Sequence, residues 1–569
     1  MFRAVRRLMA SNMDLLSWTF QNQSESDETP LLIDPSNTER SFSYSKLLSL
    51  TKQLIAGLKY AGITPGDCVL VNAFNDINYP VLYFGIVGTG AIFTGVNPSY
   101  TVDELAHHMR LTKPKAFIVE PDLLEKTIQA ARDTGLDTNK MFTFDHSTPN
   151  TTSSIPSWTT LFNHGSQEWT PVPDPSQAIA QYASTSGTSG LPKAAAIPHT
   201  YHVSQAALLA TNQPSSYSVR RLTALPPFHA FASPIVPASI HMRVPVYIMR
   251  RFDMSAFLAH LEQYQISETY LAPPVIVALA QHPGCTREAL KSLRQIFYGG
   301  APLKLANRLP LAELMDESAA IQPVWGMTET GWITCGHWGQ QSADESVGWA
   351  LDGFDAMRVD RDGLVGELVV KPPAPMLRYL QNEVATQETI TEDGWVRTGD
   401  IGYVEAGKVF VVDRKKDIIK VRGWQVSPVE IEAVLLQHPD IQDVAVIGIS
   451  EENGMGEIPK AFVVLKSGCD YQPELRDIQK FVHGKLAKYK APQAIAFVDS
   501  IPKNPTGKII RRNLRQWEER RAASDRLKEE RRVADSWEFL FISSWLISVI
   551  VLVCCLMQRK ALRRPAHHS

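Results

Sequence analysis

At 569 residues the chain is longer than one hydrophobic core can serve, since single cores stop growing near ~250–300 residues, so at least two domains are expected. A composition of 44% hydrophobic and 20% charged residues is that of an ordinary folded protein, and a net charge of -2 excludes the basic footprint that a nucleic-acid binder needs. The 6 cysteines contain no CxxC pair, which argues against a zinc site or a disulfide framework and for a reducing compartment.

In chain order, residues 1–13 are basic and free of acids and read as a frayed terminus. From about residue 40 to residue 340, helical patterns alternate with short apolar runs such as Cys68–Val71, Ala116–Val119 and Gln295–Tyr298. That alternation predicts parallel sheets covered by helices. After Ser346 the pattern changes to short strands between Gly-rich turns, Gly366–Val370 and Lys408–Val412, which predicts a β-rich subdomain. A smaller α+β unit follows from Arg414. Its first helix is announced by Ser427, Pro428 and Glu430, a cap, a first-turn proline and the acid of a capping box.

Residues 517–537 are dense in Arg and Glu and read as a solvated helical stalk. The segment 538–557 contains, from Phe539 to Met557, a run without a single charge, close to the ~20 residues that cross a bilayer as a helix. The expectation is a single-pass C-terminal tail anchor with a basic tail over 558–569. It would leave the globular part in the cytosol, on the surface of a peroxisome, mitochondrion or endoplasmic reticulum.

The chemistry starts at Thr185, Ser186, Gly187, Thr188, Ser189, Gly190 and Lys193. Small residues let a backbone approach an anion, their amides and hydroxyls donate to phosphate oxygens, and the lysine adds positive charge. The spacing is not that of the usual P-loop, because no hydroxyl residue follows Lys193. A flexible Ser/Gly linker is the plain alternative. Further segments occur in order: Leu225–His229, Tyr298–Pro302, Trp325–Thr330, Arg397–Asp400, Asp413–Asp417 and Pro505–Lys508.

Together these segments resemble the signatures of the acyl-adenylate-forming superfamily, on the 4-coumarate:CoA ligase and luciferase-like branch, over residues 30 to 515. The resemblance implies a large domain over 1–413, made of two doubly wound sheets and a β-barrel-like subdomain, and a small mobile α+β domain over 414–516. It implies an enzyme that uses ATP and Mg²⁺ to adenylate a small carboxylic acid, of medium-chain fatty or aryl type, and passes the acyl group to CoA. Glu329 would hold Mg²⁺ and Thr328 the α-phosphate; Asp400, with Arg414, would take the ribose hydroxyls. Gly300, Ala301 and Pro302 would pass along the adenine and acyl pocket, and Gly326 and Met327 belong to the nucleotide-binding stretch. His229 would stand at the entrance of the acyl site, and Lys508 would bridge the acyl carboxylate and the α-phosphate. Lys416 would be the hinge, and Lys420, Arg422 and Gly423 would meet CoA. Trp325 stands where tyrosine is usual and is expected to shorten or flatten the acyl pocket. A separate carrier protein as acceptor, and a membrane-tethered binding protein without catalysis, are the alternatives.

Overall fold

The structure is a computed structural model and describes residues 13–21, 27–145, 154–185, 192–211, 217–301, 303–337, 340, 342–354, 356–359, 365–414, 417–421, 424–450, 457–469, 472–483, 485–486, 488–504, 507–521, 549–553 and 557. The chain divides into two compact units. One comprises residues up to Ile418 together with Lys503–Lys508; the other comprises Ile419–Pro502 and the chain from Ile509 onward.

The large unit contains two sheets. In the seven-stranded sheet, Cys68–Asn72 lies between Ile92–Gly95 and Ala116–Val119, all parallel. Each of these strands is buried along its whole length, the mark of a sheet covered on both faces. At one edge, Ile179–Thr185 and Lys193–Pro198 run antiparallel, and the two-residue strand Arg378–Tyr379 closes that edge. The thirteen-stranded sheet has a parallel core in which Glu268–Leu271, Gln295–Gly299 and Ala320–Met327 are neighbours in register.

Two expectations are corrected here. The β-rich stretch after Ser346 is not a barrel-like subdomain. Trp349–Ala350 pairs with both Gly331–Cys335 and Lys408–Arg414, so the hairpins extend the larger sheet. A barrel needs its first and last strands to pair, and the outermost strand here, Ala356–Val359, pairs only with Gly366–Lys371 among the described residues. The membrane helix expected over 538–557 also does not stand. A span needs one continuous apolar helix, and among the described residues no helix is long and apolar enough to cross a membrane. Of that segment 549–553 and 557 are helical and exposed; the remainder, like most of the stalk and the basic tail, lies outside the described residues. The tail anchor, the membrane as partner and the organelle-surface location drawn from that helix are withdrawn with it.

In the small unit, Ile441–Ser450 pairs antiparallel with Glu457–Leu465, which pairs parallel with Ala494–Phe497. The helix Pro428–Leu435 is capped by Ser427, whose hydroxyl accepts from the Glu430 amide. The Glu430 carboxylate takes the ammonium of Lys490 at 2.7 Å. Glu432 is buried and meets Arg511 at 2.7 Å, while the Arg511 Nε–H donates to the Val446 carbonyl. Removing one partner strands a buried charge, so Arg511→Ala is expected to lower the unit's stability by about 3 kcal/mol or more, read as a drop in the urea midpoint.

Candidate active site

The site grows from the antiparallel pair Ile179–Thr185 and Lys193–Pro198, in which Thr185 stands opposite Lys193. The loop that joins them, with Ser186, Gly187, Thr188, Ser189 and Gly190, lies outside the described residues. Its two ends open into one cavity of about 690 Å³. Thr185 is buried there, and its hydroxyl has no hydrogen-bond partner among the described residues.

Of the residues expected from the sequence, Lys193, His229, Gly300, Gly326, Met327, Thr328, Glu329, Arg414 and Lys508 line the same cavity as Thr185. Ala301 is described but is not part of its lining, and Pro302, Lys416, Arg422 and Gly423 lie outside the described residues. Lys420 is on the strand Ile419–Val421 of the small unit.

The helix His199–Thr211, directly after Lys193–Pro198, clamps the turn that carries Thr328 and Glu329. Residues four apart share a helix face. Tyr201 accordingly donates its hydroxyl to the Thr328 carbonyl at 3.1 Å, and Gln205 donates to the Thr330 carbonyl at 3.2 Å and accepts from the Trp332 amide at 2.7 Å. Gly331 makes this approach possible. Its φ is 76°, and a Cβ there would lie 2.2 Å from the Gln205 side chain. No local pattern marks this clamp, because its partners are more than a hundred residues apart.

Tyr379 is a further residue that sequence reasoning missed. Its hydroxyl donates to Glu329 Oε1, and the Lys193 ammonium sits 3.7 Å from its ring centroid. Burial first, and then the neighbouring Glu329 charge, raise the phenol's pKa and keep it protonated. The residue lies in a strand of two residues with no local pattern, so no periodicity could reveal it.

Asp400 and Trp325 sit just behind the cavity wall. The Trp325 indole N–H donates to Asp400 Oδ2 at 2.8 Å, and Arg414 Nε meets Oδ1 at 2.9 Å. Trp325 is buried and is not among the residues lining the cavity, so instead of shortening an acyl pocket it fixes the Asp400 carboxylate. Trp325→Phe deletes the donor and shrinks the buried indole to a benzene ring, and is expected to lower stability by about 1–3 kcal/mol, read as a drop in the urea midpoint.

His229 stands in a turn where the Phe231 amide donates to its Nδ1 at 3.2 Å. Burial pushes its imidazole down to about 4. It is therefore neutral near pH 7, with its proton on Nε2. Beyond it the wall is aromatic: Phe231 and Trp332 line the cavity with ring centroids 5.5 Å apart, backed by Tyr270 and Phe297, which stack at 5.3 Å. The Trp332 indole N–H donates to the Phe231 carbonyl at 3.1 Å.

Lys508 completes the cavity from a separate segment, since Lys503–Lys508 packs as part of the large unit. Its turn is closed twice: the Lys508 amide donates to Asn504 Oδ1 at 2.8 Å and the Asn504 amide to the Lys508 carbonyl at 2.9 Å.

Lys193, Arg414 and Lys508 thus line one cavity together with the Glu329 carboxylate and the two ends of a small-residue loop, in an α/β chain of two units. This is the equipment of an enzyme that handles the phosphates of a nucleotide. Comparison with known proteins gives the lineage. The profile of the AMP-binding enzyme family matches residues 20–380, and that of the AMP-binding enzyme C-terminal domain matches residues 430–508. A phenylacetyl-CoA ligase of Aspergillus niger is 37% identical over 522 residues, covering 88% of this chain and 96% of that one. A nicotinic acid-CoA ligase of Penicillium canescens is 35% identical over 539 residues, covering 88% and 97%. The crystal structure of ATP-bound MatB from Rhodopseudomonas palustris shares the fold, with a TM-score of 0.79 at 24% identity over 89% of this chain and 99% of that one. The chain belongs to the AMP-binding enzyme family. It is an ATP-dependent acid–CoA ligase that works through an acyl-adenylate.

Proposed function

We propose that the acid is a compact aromatic carboxylic acid, activated in the cavity at the Phe231–Trp332 wall. The observation that carries this reading is the aromatic block of Phe231, Trp332, Tyr270 and Phe297, a packed set of rings that offers an aromatic surface to another ring. The phenylacetyl- and nicotinic acid-CoA ligases among its relatives support the same choice. It selects the aryl over the medium-chain fatty alternative.

In this reading Lys193 and the loop ending at Thr185 receive the ATP phosphates, Asp400 receives the ribose hydroxyls, and Lys508 draws the acyl carboxylate towards the α-phosphorus. A carboxylate is a weak nucleophile and ATP a crowded anion, so the residues act chiefly by alignment and charge neutralisation. The acyl carboxylate oxygen forms the new bond to the α-phosphorus as the bond to pyrophosphate breaks. The CoA thiolate then attacks the acyl carbon and AMP leaves, with Lys420 on the small unit's side of this second step. His229, neutral and donating from Nε2, suits a place beside the acid.

The residues also fit Mg²⁺. Among the described residues no group of three His, Cys, Asp or Glu side chains could hold a metal alone. Mg²⁺ does not require one, since it keeps several waters and takes one or two carboxylates plus substrate phosphate oxygens. Glu329 would supply that carboxylate, with Thr328 beside it. When bound, the ion offsets charge on the phosphates.

The test incubates the purified chain with Mg-ATP, CoA and a panel of acids and reads thioester masses. Arylacetic and heteroaryl acids are expected to exceed octanoic acid in kcat/KM by about 100-fold, roughly what a closed apolar wall can discriminate. Trp332→Ala is expected to narrow that ratio by admitting the longer acid. A wild-type preference for octanoic acid overturns the aromatic reading.

A further inference from the structure

Tyr379 reaches the cavity through strand register. It pairs with Ala195 across the two antiparallel strands Arg378–Tyr379 and Lys193–Pro198. Side chains two apart on a strand share a face, so Lys193 is the diagonal neighbour of Tyr379 on that face. The ring is almost fully enclosed, 3% exposed. Its backbone is held on two sides: the Tyr379 amide donates to Thr386 Oγ1 at 3.0 Å, and the Met376 amide, three residues back, donates to the Glu329 carbonyl at 2.8 Å. The strand, the turn bearing Glu329 and the helix Glu383–Thr389 are thereby tied together around one phenol.

We infer that Tyr379 is a positioning residue that sets Lys193 and Glu329 for the ATP phosphates, its ring face seating the lysine and its hydroxyl orienting the carboxylate. The inference rests on the assignment of Lys193 and Glu329 to the phosphate end of the cavity. Its chemical logic lies in what each contact leaves available. An ammonium over a ring face keeps its full charge and can still direct N–H groups at a phosphate. A carboxylate that accepts from a neutral hydroxyl remains an anion with further lone pairs for a metal. A cation and an anion brought together directly would neutralise one another, whereas a phenol anchors both without consuming either charge.

Tyr379→Phe and Tyr379→Leu in the full-length chain separate the two contacts. Tyr379→Phe keeps the ring and deletes the donor. It is expected to raise the Mg²⁺ concentration for half-maximal ATP–pyrophosphate exchange by about tenfold, to leave the KM of the acid alone, and to bind Mg-free ATP as wild type does. Tyr379→Leu deletes both contacts and is expected to weaken Mg-free ATP binding, read by calorimetry, by about 5–30-fold as well. Thioester formation from a synthetic acyl-adenylate and CoA, which involves no pyrophosphate, should stay within about twofold in both, because only the first step engages the polyphosphate. An unchanged Mg²⁺ dependence in Tyr379→Phe, or equal losses in both half-reactions, overturns the inference. Lys193→Ala and Glu329→Ala run alongside: if they abolish exchange while the tyrosine variants keep the wild-type Mg²⁺ dependence and ATP affinity, the positioning role alone fails; if they leave exchange intact, the phosphate-end assignment fails and the inference with it.

Discussion

Lys508→Ala is expected to lower acid-dependent ATP–pyrophosphate exchange by about 1000-fold, the scale on which a single preorganised donor at a developing charge acts. Lys508 lines the cavity, and two hydrogen bonds with Asn504 hold its backbone. What alanine removes is a charge that the acyl carboxylate and the α-phosphate share only as they approach one another. The loss should fall on kcat, with the KM of ATP changed little, because Lys193 and Asp400 carry the ground-state contacts in the proposed assignment. Thioester formation from a synthetic acyl-adenylate should persist within about tenfold, since in that step the carboxylate and phosphate no longer have to meet. Exchange that survives in this variant removes Lys508 from the first half-reaction.

What could be read in the sequence was local. Apolar runs between turn residues marked Cys68–Asn72, Ala116–Val119 and Gln295–Gly299 as buried strands, because a strand buried on both faces must be apolar throughout. The small-residue loop before Lys193 and the turn around Glu329 were visible as short motifs whose chemistry is carried by adjacent residues. What escaped depends on partners far along the chain. Strand Arg378–Tyr379 exists because it pairs with Lys193–Pro198, and nothing in two residues announces that. Trp325 looked like a bulky residue in an acyl pocket because its own segment cannot show that Asp400, 75 positions later, accepts its N–H. The segments after Ser346 were legible as short strands between turns, while their attachment through Trp349–Ala350 to Gly331–Cys335 was not, since pairing partners are chosen in three dimensions. The uncharged run at 539–557 satisfied a rule of length and hydropathy, and such a rule counts residues without testing for a continuous helix.

The same fold that seats the site also buries histidines, and their burial predicts a steep loss of stability in mild acid. His108, His199 and His202 are each 3% exposed. Burial lowers their pKa values from 6.5 to about 4, about 4 and about 3. The unfolded chain therefore binds more protons than the native one between roughly pH 6.5 and pH 4, and stability must fall as pH falls through that window. It is fully present above the unfolded value. At pH 4.5 each of the three contributes a loss of between about 2 and 3 kcal/mol, and together the loss is on the order of 8 kcal/mol, comparable with the whole stability of a typical domain. His202 should be the most costly to protonate, because neither ring nitrogen has a hydrogen-bond partner among the described residues and the ring lies edge-on to Tyr201 and Tyr83. With His229, lowered to about 4 in the same way, urea titrations from pH 7 to pH 4.5 should show about four extra protons taken up on unfolding near pH 5.5. His202→Phe keeps an aromatic ring and removes one titration, so about a quarter of that slope should vanish while stability at pH 7 stays within about 1 kcal/mol. A slope unaffected by the replacement would mean that the buried ring does not govern the acid response.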